Sequence, residues 1–437
     1  MNYESLSKFP IGLVHLSITL TFVPVTGVLN RVMIHEFEIL ASVVALLMVL
    51  PYLFSPLQVF IGRYADTHPI AGRKRTPYIV LGALLCIGGL ELTPLAALLM
   101  AEKSWQAMPL AVVGFGLWGV GYNLAVVSYL SLASERSNAA DRPRVVSVMW
   151  FMMIVGAIAA SILIGRALSP YSNAALVRVF QVVGLISLGL IALGLWGLEP
   201  RTDQPLQRHE RLTPRQIFSA LAQQPNVVRF FIYLVLMLAS ILGQDVLLEP
   251  FAAKAFDMSV KETTQLNAIW GTATLSAMLL YGFVLNRFLA RKQGAQLGLV
   301  LAAGGLLTIA TSGLLSMKTP FLIGLATLGL GTGIATSSNL ALMLGMTPEG
   351  QTGMYMGAWG IADALSRALG NFLSGFGRDA ITHWLGHPLM GYVSVFFAQA
   401  LLLSVSLWLL QQISEAGIDE KKKFNLTESI ALAAETD

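Results

Sequence analysis

The chain has 437 residues, 55% of them hydrophobic and 12% charged, with a mean hydropathy of +0.68. A soluble domain covers its surface with about 25% charged residues, so the composition excludes a soluble globular protein and points to a surface that meets lipid. The net charge of +4 is then a question of where basic residues lie, not a signal for nucleic acid, and the single Cys86 excludes both an intrachain disulfide and a cysteine metal cluster.

The first residues, MNYESLSKFPIG, lack the basic run and cleavage site of a secretory signal, so the first apolar segment is expected to be a retained helix. A bilayer core requires about 20 apolar residues per helix. Six spans are predicted at 9–30, 39–62, 76–98, 107–131, 144–165 and 174–197. A polar stretch at 198–225 follows, and six more spans are predicted at 226–248, 264–289, 293–313, 319–343, 353–377 and 388–412. The expected organisation is an N-terminal six-helix half (1–197), a cytoplasmic linker (198–225), a C-terminal six-helix half (226–412) and a mobile cytoplasmic tail (413–437). Most of the 28 Lys and Arg fall in the even-numbered loops and the tails, among them Arg73, Lys74, Arg75, Arg201 and Lys421 to Lys423. Positive-inside bias therefore predicts that both termini are cytoplasmic.

The chain reads as duplicated. Gly62-Arg63-Tyr64-Ala65-Asp66 is matched by Gly282-Phe283-Val284-Leu285-Asn286, 220 residues on. Asn123-Leu124-Ala125 is matched by Asn339-Leu340-Ala341, 216 on, and Gly27-Val28-Leu29 faces Asp245-Val246-Leu247, 218 on. Two parallel six-helix repeats are the arrangement of major facilitator transporters. The loop after the second span, from Gly62 through Asp66 to Gly72-Arg73-Lys74-Arg75, resembles the loop motif of that superfamily, with Thr67-His68-Pro69-Ile70-Ala71 inserted. Gly62 would admit a neighbouring helix, and Asp66 would accept hydrogen bonds from helix N-termini or pair with a base, as a latch. The basic trio is either part of that latch or a positive-inside loop that meets anionic headgroups.

Within the superfamily the sequence resembles the PucC or bacteriochlorophyll-delivery family. The matching stretches are Leu29 to Ile34, Gly72 to Tyr78, Asp141 to Trp150, Tyr355 to Ala362 and, most specifically, Gln244 to Phe251 followed by Phe256 to Thr264. The resemblance implies an all-α major facilitator fold with twelve transmembrane helices. It also implies residence in a thylakoid or photosynthetic inner membrane, and a role in assembling light-harvesting or photosystem complexes. Chlorophyll or a precursor would be its ligand, and antenna or photosystem subunits and pigment-biosynthesis proteins its partners.

Ionisable residues inside a membrane are costly and mark function by default. Asp245 and Glu249 lie four apart, hence on one helix face at the extracytoplasmic end of the seventh span, with Gln244 beside them. They are either a polar site facing a cavity or a wet helix end. Arg31 holds the repeat position of Glu249, so an ion pair between them is one expectation and two unrelated charges the other. Asp363 and Arg367 form an i,i+4 acid–base pair that either neutralises itself or lines the cavity as part of a ligand or partner site. Asn123 and Asn339 are helix glue or cavity lining, with amides that could also bind a pigment. His15 is either an axial ligand for a chlorophyll magnesium or a hydrogen-bond partner of a neighbouring helix.

No Walker loop, HExxH or paired-cysteine motif is present, so no catalytic activity is expected. Three functions remain: a pigment-handling assembly factor, an ion-coupled transporter of a small amphipathic solute, and a pigment-free membrane scaffold.

Overall fold

The computed structural model describes residues 9–55, 58, 61, 64–65, 68–136, 142–201, 225–347 and 352–413. Among them a helix lies at each of the twelve expected span positions. In chain order the helices are α1 (Phe9–Leu20), α2 (Ala41–Leu53), α3 (Thr76–Ala101), α4 (Ala107–Glu135), α5 (Arg142–Ala167), α6 (Asn173–Leu195) and α7 (Pro225–Leu242). Then come the short α8 (Leu248–Phe256) and α9 (Val260–Thr264), followed by α10 (Leu266–Phe283), α11 (Arg291–Leu314), α12 (Lys318–Met346), α13 (Thr352–Leu385) and α14 (Pro388–Gln411).

Nine spans among the described residues are long and apolar enough to cross a bilayer. The other three positions hold α2, α5 and α13; α13 carries Asp363, Arg367, Arg378 and Asp379 along its length. Apolar side chains such as Leu163, Leu185, Leu193 and Leu401 are exposed on the helices, as lipid contact allows. Trp105, Trp196 and Trp384 stand exposed near helix ends, where an aromatic belt sits.

The first span is longer than expected. It runs from Phe9 to Glu36, because α1 continues through π-helical turns at Val23–Leu29 and Val32–Glu36. The wider turn places i and i+5 on one face, which brings Glu36 over Arg31.

The chain divides into two compact units. Of the described residues, the first comprises those within 9–29 and 50–201, and the second those within 30–49 and 225–413. In the first unit Ile18, Ile79, Ala83, Ala125, Met149 and Ile191 form one core joining α1 and α3 to α6. In the second unit Phe251 of α8 packs on Phe321, Tyr392 and Phe396, with ring centroids 5.1–5.9 Å away. Residues 30–49 belong to this unit through specific bonds: Ser42 N donates to Asp379 Oδ2 at 2.6 Å, and a Cβ on Gly375 would lie 2.5 Å from Ala41 O.

Each unit contains a helix pair held at backbone distance by several glycines. In α3 and α4, a Cβ added to Gly82 would fall 2.6 Å from Ala125 N, one on Gly89 2.2 Å from Trp118 N, and one on Gly121 2.2 Å from Cys86 N. In α11 and α12 the same relation joins Gly298 to Ala335 N at 2.5 Å, Gly305 to Leu328 N at 2.5 Å and Gly331 to Ala302 N at 2.4 Å. Without a hydrophobic drive between helices in lipid, such close approach supplies the packing energy. The correspondence also fixes the internal repeat: α3 maps onto α11 by 216 residues, but α4 maps onto α12 by 210. Asn123 and Asn339, 216 apart, are therefore not equivalent positions.

Candidate functional site

In the second unit, buried polar groups gather around the seventh span. The seventh span does not run straight through. α7 stops at Leu242, a 3-10 turn occupies Gly243–Val246, and α8 restarts at Leu248. Gly243 permits this, since a Cβ there would meet Ser374 Oγ at 2.8 Å and Gly370 O at 2.9 Å on α13. The spacing of Asp245 and Glu249 led to the expectation of one regular helix through both residues. Instead the helix breaks at the 3-10 turn, and Pro250 lies in the first turn of α8, where no amide donor is needed. Asp245 and Glu249 thus sit on two successive elements rather than on one helix face.

A helix break inside a membrane frees backbone carbonyls that must find donors. Asn30, fully buried, supplies them: its Nδ2 donates to Asp245 O at 3.1 Å and Val246 O at 2.9 Å. The sequence reading assigned Asn30 no role. The signal was an amide inside an apolar run, near the repeat position of the turn it satisfies.

Gln244 is buried and Asp245 half-buried, and Gln244 Nε2 donates to Asp245 Oδ1 at 2.7 Å. The charges acting on Asp245 are Arg367 and Asp363 of α13, themselves joined by the expected i,i+4 pair at 2.8 Å. Glu249 is buried, and its Oε1 accepts from Asn267 Nδ2 at 2.7 Å. Arg31 does not bond to Glu249. Its Nη1 pairs with Glu36 Oε1 at 2.5 Å and its Nη2 donates to Met258 O at 3.0 Å. The π turn that carries Glu36 onto Arg31 accounts for the difference, and Arg31 acts on Glu249 only as a nearby charge. Three buried acceptors, Asn30 Oδ1, Gln244 Oε1 and Glu249 Oε2, have no hydrogen-bond partner among the described residues. The cluster is thus acceptor-rich and suited to a donor or a cation.

The remaining candidates divide clearly. Asn123 is fully engaged: Nδ2 donates to Pro51 O and Gly119 O at 2.9 and 2.8 Å, and Oδ1 accepts from Gln58 Nε2 at 2.7 Å. Asn339 accepts from Tyr233 Oη at 2.9 Å and donates to Ala335 O at 2.8 Å. Both tie helices together. His15 is buried with Nε2 2.9 Å from Met153 Sδ and its ring edge-on to Tyr129 at 5.2 Å. Protein encloses that nitrogen, and His15 packs between α1, α4 and α5.

Of the expected latch, Gly62 and Asp66 lie outside the described residues. Within the first unit, residues 70–73 form a tight turn: Ile70 N donates to Arg73 O at 2.9 Å and Arg73 N to Ile70 O at 3.0 Å. Ala71 and Gly72 both take positive φ, +53° and +73°, the signature of a type I′ turn. The start of α3 is then capped from far away in sequence. Glu199 Oε1 accepts from Lys74 N and Arg75 N at 2.7 and 2.9 Å, and Oε2 from Thr76 N at 2.6 Å. The Arg75 side chain pairs with Glu135 at 2.6 Å. The acid that organises this loop is thus Glu199, which sequence reading missed because its partners lie over 120 residues away.

Burial opposes the charge on Glu199, but the hydrogen bonds from Thr76, Arg75 and Lys74 together outweigh it and hold its pKa below the ordinary value of 4.5. A carboxylate with a depressed folded pKa stabilises fully above its unfolded value, and that contribution is lost as pH falls through the folded value. Glu199→Gln is expected to cost about 2 kcal/mol around neutral pH. Thermal unfolding in detergent should show the variant losing less stability than wild type as pH drops below 4.5; parallel pH profiles would contradict this.

A bacterial homologue of the iron transporter ferroportin, solved in an inward-facing state, superposes with a TM-score of 0.73 over 94% of this chain and 99% of its own, at 14% identity. That likeness shows the fold alone: an all-α integral membrane protein with the major facilitator fold. Protein PucC of Rhodovulum sulfidophilum is 32% identical over 383 residues, covering 85% of this chain and 84% of its own. The bacteriochlorophyll synthase 44.5 kDa chain of Rhodobacter capsulatus is 28% identical over 414 residues, covering 92% and 94%. The family model described as PUCC protein matches residues 28–418, from the π turns of the first span through the broken seventh span to the last helix, and the chain therefore belongs to the PucC family.

Proposed function

We propose that this chain is a non-catalytic protein of a photosynthetic membrane that assists assembly of light-harvesting or photosystem complexes by handling chlorophyll or a precursor. The observation that carries the reading is the family match over residues 28–418, which includes the broken seventh span. The name of one relative, a bacteriochlorophyll synthase chain, adds a link to pigment. The apolar, sparsely charged spans suit a lipophilic ligand or a membrane-embedded partner. In this reading Gln244, Asp245 and Glu249, with Asn30, Arg31, Asp363 and Arg367 around them, form the site on which function depends. Both termini lie on the cytoplasmic side, by the placement of the basic loops.

A second reading, an ion-coupled transporter, is favoured by one feature: carboxylates at a discontinuous membrane helix, the setting in which transporters bind coupling ions. Purification from the membranes of a photosynthetic host in mild detergent separates the two. Absorbance and intact-complex mass spectrometry are expected to show pigment, or antenna or photosystem subunits, accompanying the chain. A pigment-free chain without such subunits, which drives ion-dependent solute uptake in vesicles, would refute the assembly reading. Retention of a subunit without pigment would reduce the protein to a scaffold.

A further inference from the structure

The turn at 70–73 and the start of α3 border an open groove of about 360 Å³, within the size range of small-ligand sites, about 300–1,000 Å³. Its walls are of two kinds. One end carries Arg73 and Arg201; the other is apolar, formed by Pro77, Val80, Leu81 and Leu84. Val80, Leu81 and Leu84 are exposed on a helix that crosses the membrane, so this wall continues into hydrocarbon.

The two arginines are chemically available, whereas their neighbours are not. Lys74 and Arg75 are buried, and Arg75 is paired with Glu135. The carboxylate next to the turn, Glu199, has both oxygens occupied by the amides of residues 74–76. Arg73 Nε is buried and has no acceptor among the described residues. A buried guanidinium nitrogen without an acceptor is costly, and a phosphate matches the planar guanidinium fork. Arg201 lays its side-chain stem along Gly72, 3.6 Å from the position a Cβ would take there, and reaches the same groove. The residue at 72 must accept φ +73°, so glycine both makes the turn and leaves the arginine room.

We propose that this groove binds an anionic phospholipid, with its phosphate held by Arg73 and Arg201 and an acyl chain laid along Val80, Leu81 and Leu84. Two cations beside an apolar strip match a headgroup and its tail, while a zwitterionic lipid would bring a cationic group against the arginines. The proposal stands apart from the assembly function and concerns a different unit of the protein from the Asp245 cluster.

Native mass spectrometry of the full chain, released from nanodiscs of equal phosphatidylglycerol and phosphatidylcholine, reads the bound lipid directly. Wild type is expected to keep phosphatidylglycerol selectively. Arg73→Gln with Arg201→Gln should lower the ratio of retained phosphatidylglycerol to phosphatidylcholine about tenfold, the loss expected from charge-assisted hydrogen bonds. Arg201→Gln alone, at an exposed side chain, leaves the fold intact and should give a smaller loss in the same direction. Equal retention of the two lipids by wild type, or an unchanged ratio in both variants, overturns the proposal. Displacement of the lipid by inorganic phosphate also overturns it, because the site would then belong to a soluble anion.

Discussion

Gly121→Leu is expected to abolish accumulation of folded protein. The Cβ of any side chain at 121 would lie 2.2 Å from Cys86 N and 2.5 Å from Gly82 O, both backbone atoms, so no rotamer change relieves the clash. Helices α3 and α4 would have to separate, which removes the close packing that associates helices in lipid. Overpacking of this kind costs more than about 3 kcal/mol, a large share of the roughly 5–15 kcal/mol that holds a domain folded. Gly331→Leu should behave alike in the second unit, where its Cβ would fall 2.4 Å from Ala302 N. The internal control is built in: no described atom lies within 4 Å of a Cβ at Gly88 or Gly304. Gly88→Leu and Gly304→Leu should give monodisperse protein by fluorescence-detected size exclusion. Equal profiles for Gly121→Leu and Gly88→Leu would contradict the packing argument.

Asp245→Asn combined with Glu249→Gln is expected to spare folding and remove function. An asparagine at 245 can still accept from Gln244 Nε2, and a glutamine at 249 can still accept from Asn267 Nδ2, so the local hydrogen bonds survive. What disappears is the pair of carboxyl groups at a broken membrane helix. Removing one charge-assisted hydrogen bond, worth about 1.4 kcal/mol, weakens a ligand or partner about tenfold, and a loss of that order in pigment–protein complexes is expected. The charge swap Arg31→Glu with Glu249→Arg should not restore it. Arg31 is held by Glu36 and Met258 O, and a glutamate in its place would face a carboxylate and a carbonyl.

Much of the architecture was legible because apolar length is a direct record of bilayer thickness. The expected spans at 107–131 and 388–412 reappear as Ala107–Glu135 and Pro388–Gln411. The Asp363–Arg367 pair followed from helical spacing alone. The distortions were not legible. Hydropathy is blind to whether an apolar stretch winds as α, π or 3-10 helix, and the π turns at 23–36 and the 3-10 turn at 243–246 decide the site. Arg31 and Glu36 look unrelated at i,i+5 on an α-helix, yet the π turn makes them partners. Asn123 and Asn339 misled in the other direction: a three-residue match suggested equivalence, whereas the glycine contacts set the fourth and tenth spans six residues apart from that alignment. Glu199 and Asp379 each cap a distant helix start, a relation that no local pattern encodes.

The central claim is that the polar cluster at the broken seventh span serves the assembly of pigment-binding complexes. The direct measurement is the absorbance of membranes from a photosynthetic strain whose sole copy carries Asp245→Asn and Glu249→Gln, with the level of the chain itself followed by immunoblot. The account predicts normal levels of the chain and a loss of antenna or photosystem absorbance of about tenfold. Wild-type absorbance at wild-type levels of the chain would contradict it and leave the cluster a structural feature of the helix break.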